Sequence, residues 1–166
     1  QLFGYRTPIE LDVSSTYGLL PGDFDNDGDP DLLWLSFTEV TWHENLDGEG
    51  TYGPPIVIDN ISEQSLDQLV VDLDDDGKED FLVSYFTDDQ IAFYRNLGNG
   101  NFAPMEVIAS GLNSARGIAA GDLDGDNDLD LVLGVSNGIG FYWMEHLDGN
   151  GAFGPLIPID NTLSQA

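Results

Sequence analysis

The feature that most constrains this chain is a nine-residue acidic segment that occurs three times, with its first aspartate at 23, 72 and 122. The copies read Asp23-Phe24-Asp25-Asn26-Asp27-Gly28-Asp29-Pro30-Asp31, Asp72-Leu73-Asp74-Asp75-Asp76-Gly77-Lys78-Glu79-Asp80 and Asp122-Leu123-Asp124-Gly125-Asp126-Asn127-Asp128-Leu129-Asp130. A fixed period of about fifty residues means stacked supersecondary units that bury their apolar faces on one another, so the period decides the architecture before any local reading. Other landmarks keep the register. An aromatic-small pair recurs at Phe3-Gly4, Tyr52-Gly53, Phe102-Ala103 and Phe153-Gly154, and the first three stand 20 residues before the next acidic segment. Trp42, Phe93 and Trp143 each precede a leucine by four residues (Leu46, Leu97, Leu147), and Gly-rich turns follow directly.

Alternation and Gly/Asn/Asp punctuation give four strands per unit. The first precedes the acidic loop, at about 16–21, 66–71 and 115–120. The second follows it, as in Asp80-Phe81-Leu82-Val83-Ser84-Tyr85, and the third carries the aromatic landmark. The fourth is of the Pro54-Pro55-Ile56-Val57-Ile58 type, with prolines suited to an outer edge. Four antiparallel strands in such a unit make one propeller blade. A parallel β-helix has shorter repeats, an immunoglobulin-type sandwich has no such period, and no amphipathic helix is legible. The expected fold is all-β: tandem four-stranded antiparallel β-propeller blades, three repeats forming an incomplete ring or part of a larger assembly. The expected division is an outer strand of a preceding repeat at 1–13 and blades at 14–61, 62–111 and 112–166.

Each loop sets carboxylates at positions 1, 3, 5 and 9. A hard cation such as Ca²⁺ takes roughly six to eight oxygen ligands at about 2.3–2.6 Å, which such a loop supplies. Without a cation the carboxylates repel one another. Position 7 is Asp29, Lys78 and Asp128; a lysine side chain does not ligate, so the ligand expected there is the backbone carbonyl. Position 6 is Gly28, Gly77 and Asn127, residues that tolerate a left-handed backbone. An EF-hand loop begins alike but needs a glutamate at position 12 and flanking helices. Trp34, Val83 and Leu133 stand at position 12 here. Magnesium keeps several waters and fits an all-protein cage poorly. The expectation is therefore about three calcium ions, one per repeat, held by Asp23, Asp25, Asp27, Asp29 and Asp31; by Asp72, Asp74, Asp76, Lys78 and Asp80; and by Asp122, Asp124, Asp126, Asp128 and Asp130.

These segments hold 16 of the 31 acidic residues in a chain of formal net charge -27. Only Arg6, Lys78, Arg95 and Arg116 are basic, so nothing can replace the counterions around a nucleic-acid backbone, and nucleic acid is excluded as a partner. Apolar runs fall well short of the roughly 20 residues of a membrane-spanning helix, and no membrane insertion is expected. With no cysteine, metal is the expected staple of the fold.

The motifs Phe-Gly-x-x-x-Pro, Gly-Asp-Leu-Asp-Gly-Asp-x-Asp-Leu-Asp-Leu and Trp-x-Glu-Asn-Leu-Asp-Gly, which run through nearly the whole chain, resemble the FG-GAP/VCBS repeat family of calcium-binding propeller blades, as in integrin α-subunit propellers and fungal propeller lectins. The resemblance implies that the acidic loop joins the first two strands of a blade, that its calcium is structural, and that the setting is extracellular, with Gln1 a processed terminus. Asn60-Ile61-Ser62 is a sequon in the connection between blades, a glycan acceptor if the source is eukaryotic.

Closed rings are generally built from about four to eight blades. A fourth loop falls by the 20-residue offset at 173, past Ala166, and residues 3–12 read as a spare outer strand. The expectations that follow are a fragment, a half-propeller that dimerises, or a unit that adds head to tail. Other copies of the chain, further repeats, and an extracellular glycan or protein are the expected partners besides calcium. Trp42, Tyr94, Tyr142 and Trp143 are read chiefly as core aromatics, His43 and His146 as solitary rather than zinc-binding, and Glu44 with Glu145 as a structural repeat position. No nucleophile or acid–base pair stands outside the pattern, and the chain is not expected to be an enzyme. The reading is a non-catalytic recognition or adhesion module, with a self-assembling filament or layer subunit as the alternative and an accessory domain of a secreted enzyme after that.

Overall fold

A computed structural model describes residues 16–62, 64–112, 114–136, 140–149 and 151–159; the expected spare strand of residues 3–12 lies outside them. The described residues form three four-stranded antiparallel sheets. The first orders β1 (Thr16–Gly22), β2 (Asp31–Ser36), β3 (Glu39–His43) and β4 (Ile56–Asn60). The second orders β5 (Ser65–Val71), β6 (Asp80–Tyr85), β7 (Gln90–Tyr94) and β10 (Glu106–Ser110), with a short side ladder of β8 (Asn96–Gly98) and β9 (Asn101–Phe102). The third orders β11 (Ala115–Gly121), β12 (Asp130–Val135), β13 (Gly140–Met144) and β14 (Ile157–Pro158). The strands are all antiparallel meanders, as the repeat predicts, and no helix among the described residues is long and apolar enough to cross a membrane.

The register repeats with the sequence. The acidic loop closes on the pairs Gly22↔Asp31, Val71↔Asp80 and Gly121↔Asp130. A bulge near the start of each first strand, after Thr16, Ser65 and Ala115, gives all three blades the same added twist. The first strands β1, β5 and β11 run beside one another as the inner strands of successive blades. One expectation needs correction. Pro54 and Pro55 lie ahead of β4, which begins at Ile56, so their missing amides are spent in the connection and not on the sheet edge.

The core sits between blades. Phe24, Leu33, Leu35, Val40 and Trp42 of the first blade pack on Phe81, Val83, Tyr85, Ala92 and Tyr94 of the second. Leu73, Leu82, Ile91 and Phe93 on the other face of the second pack on Leu131, Leu133 and Met144 of the third. Successive strand side chains point to opposite faces, so β6 serves both seams at once and reads as a continuous apolar run. The aromatic landmark has a steric partner: the Trp42 ring lies where a Cβ on Gly100 would project, and at Gly151 that place is taken by the Arg95 guanidinium, with the Phe93 ring in ordinary contact beside it. Both glycines also have positive φ, 67° and 96°. A third-strand aromatic thus docks on the turn glycine of the next blade, which explains why the two landmarks keep a fixed spacing.

Candidate metal centres

Each loop is wound by its own carboxylates. The position 1 aspartate accepts from the amides that follow it: Asp27 N and Gly28 N donate to Asp23 at 3.1 and 3.0 Å, and Asp76 N and Gly77 N donate to Asp72 at 3.1 and 2.9 Å. In the third loop the donors are Gly125 N at 2.7 Å and Asn127 N at 3.2 Å. The position 7 amide donates to position 5 in all three, from Asp29, Lys78 and Asp128 at 3.1, 3.0 and 2.9 Å. The left-handed backbone expected at position 6 is present at Gly28, Gly77 and Asn127 (φ 100°, 83° and 79°). A second left-handed residue, unforeseen, stands at position 4: Asn26, Asp75 and Gly125. Asn and Asp bear that conformation better than other side chains, and two such residues coil the loop tightly enough to turn its carboxylates inward.

The coil brings together Asp23, Asp25 and Asp27; Asp72, Asp74 and Asp80; and Asp122, Asp124 and Asp126, each set offering carboxylate oxygens within 4.8 Å of one another. Their ligands are oxygen only, the chemistry of a hard cation. The Asp74 side chain is 3% exposed, yet its Oδ1 has no hydrogen-bond partner, and Asp29 Oδ1 is a second buried acceptor without one. A buried, unpaired carboxylate oxygen costs free energy unless a donor or a cation meets it, so these orphans fit a bound metal. Desolvation, with repulsion from neighbouring carboxylates, raises Asp25, Asp29 and Asp124 above the usual carboxylate range. Burial pushes Asp80 up to about 6 against the opposing pull of two backbone amides.

Asp31, Asp130 and the position 7 residues stand apart from these clusters, whereas Asp80 belongs to the second. The position 9 aspartates are buried and act as clamps. Asp31 accepts from Phe24 N (3.2 Å), Trp42 Nε1 (2.9 Å) and Asn45 N (2.8 Å). Asp80 accepts from Leu73 N (3.1 Å) and Asn96 N (2.7 Å), and Asp130 from Leu123 N (3.0 Å) and His146 N (2.9 Å). Each ties the start of the loop to the corner beyond the third strand. The position 7 side chains lie against the same corner: Asp29 near Gly48, Lys78 near Gly98 and Asp128 near Gly149. The ammonium of Lys78 pairs with Asp76, and Asp80 is the third member of the second cluster.

Sequence reasoning missed three participants. Arg95 donates to Asp74 from the repeat position that holds Glu44 and Glu145 in the other blades. Glu79 reaches across a seam to accept from Asp23 N at 2.7 Å, beside Asn26 Nδ2 donating to Gly77 O at 3.1 Å. Asn96 donates to Phe24 O at 3.0 Å, so the first loop is braced by the second blade. A register comparison would have found Arg95; the cross-blade bonds have no sequence signal. Trp42 and Tyr94 are core as expected, the Tyr94 hydroxyl bonding Asp59 and Tyr85 at 3.0 and 2.9 Å. Tyr142 and Trp143 are only half-buried. Neither histidine belongs to a metal cluster among the described residues.

Comparison with solved structures places the arrangement. A lectin of Agrocybe aegerita that specifically recognises non-reducing terminal N-acetylglucosamine superposes with a TM-score of 0.65 at 19% identity, over 87% of this chain and 38% of that one. The Tc holotoxin pore of Photorhabdus luminescens superposes with a TM-score of 0.50 at 22% identity, over 75% of this chain and 6% of that one. The chain thus spans well under half the length of either neighbour. No curated protein matches the sequence. The family model of the FG-GAP-like repeat matches residues 23–83 and 72–133, which take in all three acidic loops, and the chain belongs to the FG-GAP-like repeat family.

Proposed function

We propose that this chain is a non-catalytic, calcium-braced propeller module that works outside the cell and recognises a glycan or protein partner. The observation that carries the calcium reading is the thrice-repeated all-oxygen cluster, with the buried Asp74 Oδ1 left for a cation to meet. Asp23, Asp25 and Asp27, Asp72, Asp74 and Asp80, and Asp122, Asp124 and Asp126 would hold the ions, whose role is electrostatic: they neutralise carboxylates that otherwise oppose loop closure. An extracellular setting is supported by the calcium reading, because calcium at about millimolar levels there would keep such sites filled.

Recognition is supported at the end of the blades opposite the loops. The turns after β2 and β6 present Phe37, edge-on to Tyr17 with ring centroids 4.5 Å apart, and Phe86, with the Arg116 guanidinium carbon 6.0 Å from its ring centroid. Both phenylalanines are exposed. Rigidly held aromatic faces at a solvent rim suit stacking on sugars or anchoring a protein. Fold kinship with a lectin makes a glycan the first class to test. Calcium-loaded protein passed over a glycan array should be retained, and Phe37→Ala with Phe86→Ala should abolish retention without lowering Tm. Retention unchanged in the double variant sinks the rim assignment.

A second reading, self-association, is favoured by one observation. Leu123 is 53% exposed and Phe141 56%, although their counterparts Phe24, Leu73, Val40 and Ile91 are at most 2% exposed beneath the next blade. A second copy seated on this face would bury the same apolar surface that the internal seams bury. Calcium-replete sedimentation over a range of concentrations tests it; a monomer at every concentration rejects it.

A further inference from the structure

The three loops share a sequence pattern but not a charge environment. Of the described basic residues, Lys78 and Arg95 both lie on the second loop, one paired with Asp76 and the other with Asp74, while Arg116 lies over Phe86. In the first and third blades the position of Arg95 is taken by Glu44 and Glu145, and that of Lys78 by Asp29 and Asp128. Glu44 adds to the repulsion on Asp25. Two positions therefore reverse sign between the second blade and its neighbours, and both basic groups pair with aspartates of the second loop.

Arg95 is also fixed in place. Its guanidinium carbon lies 5.6 Å from the Phe93 ring centroid, and its Nη2 would stand 2.6 Å from a Cβ on Gly151, so it is wedged in the seam between the second and third blades. The position is only 27% exposed. A guanidinium held there is a standing neutralising charge that a free side chain at the surface would not be. It does not close the site. Asp74 keeps one unpartnered oxygen, and Asp72, Asp74 and Asp80 still offer carboxylate oxygens within 4.8 Å of one another.

Resting on the calcium reading above, we infer that Arg95, assisted by Lys78, is a built-in counter-cation of the second loop: it holds blade 2 closed without metal and makes its calcium site the weakest of the three. A cation entering this loop meets a fixed positive charge beside its ligands, whereas one entering the first or third loop meets only carboxylates. The second blade, which contributes to both described seams, then stays ordered when calcium falls, and the outer two act as the calcium-dependent parts.

The full chain titrated with calcium by isothermal calorimetry should show two tighter sites and one weaker by roughly tenfold or more. In chelator, hydrogen exchange should leave the amides of Asp76, Gly77 and Lys78 protected while those of Asp27, Gly28 and Asn127 exchange freely. Arg95→Gln should move two readouts in opposite directions, tightening the weak site toward the other two while lowering the Tm of the chelated protein. Arg95→Lys, which keeps the charge, should retain the weak site and serves if Arg95→Gln fails to fold. A loss of affinity together with a loss of stability in Arg95→Gln would reduce Arg95 to packing and overturn the inference. Three equal sites, unchanged in both variants, overturn it while leaving calcium binding intact. No calcium uptake at any loop overturns the metal reading and this inference together.

Discussion

The outward face of the second blade and that of the third are built from corresponding residues and meet opposite fates. Leu73, Ile91 and Phe93 on the second are closed over by the third blade, while Leu123, Phe141 and Trp143 at the same repeat positions are exposed or half-buried. The difference teaches where the stability of such a unit resides. A blade has no core of its own; its apolar side chains become a core when the next blade arrives, so the same substitution has a different cost according to the neighbour.

The largest test of that statement is truncation at matched positions. Ile91→Ala removes a side chain with no solvent exposure and should cost about 2–5 kcal/mol. Phe141→Ala, at the equivalent position, should cost no more than about 0.5 kcal/mol, because little is buried to lose. Urea denaturation in calcium measures both, and equal losses would break the comparison.

Next comes the glycine that receives the aromatic. Gly100→Ala places a Cβ into the Trp42 ring and onto a positive φ, and should destabilise by about 1–3 kcal/mol. Gly125→Ala also has a positive φ (88°) but meets nothing within 4 Å, so only backbone strain of about 1 kcal/mol remains. The gap between the two variants isolates the docking of one blade on the next.

A pH titration separates the loops from the seams. Asp25, Asp29, Asp80 and Asp124 bind a proton more tightly folded than unfolded, so in chelator their effect is stability that is present at low pH and lost as pH rises, in the case of Asp80 through about 6. His43 runs the other way. Burial lowers it, so the unfolded chain takes up the proton first and stability falls as pH drops below about 6.5. Chelated protein should therefore gain Tm between pH 7 and 5, the gain should increase in His43→Met, which borrows the third blade's Met144, and saturating calcium should abolish it by favouring the ionised carboxylates. Differential scanning fluorimetry reads all three.

What was legible in the sequence was whatever repeats. The loop, the strand order and the aromatic landmark recur in register, so periodicity located the blades and brought out Asp23, Asp72 and Asp122 with their neighbours. Burial was not legible: in the sequence Asp31, Asp80 and Asp130 look no different from the other loop aspartates, and only packing shows that they are buried and accept from backbone amides. Departures from the repeat carry no periodic signal: Glu44 and Glu145 match one another, while Arg95 stands alone at that repeat position. His146, read from the sequence as a solitary histidine, replaces Asn45 and Asn96 at the loop corner; it accepts from Gly151 N at 2.7 Å and stacks on Phe153 at 4.7 Å, doing with an imidazole what the asparagines do with an amide.

The smallest effect on stability belongs to the bare face itself and is the most informative about it. Leu123→Ser with Phe141→Ser replaces two exposed apolar side chains and should leave Tm within about 1 °C, since surface substitutions seldom exceed about 0.5 kcal/mol. If that face is where a second copy docks, the same pair should lower the sedimentation coefficient at high concentration to the monomer value, because the apolar area that drives association is gone. A fall in Tm equal to that of a seam truncation would mean that the face is already covered within the chain, and the contrast between the second and third blades would then be one of degree.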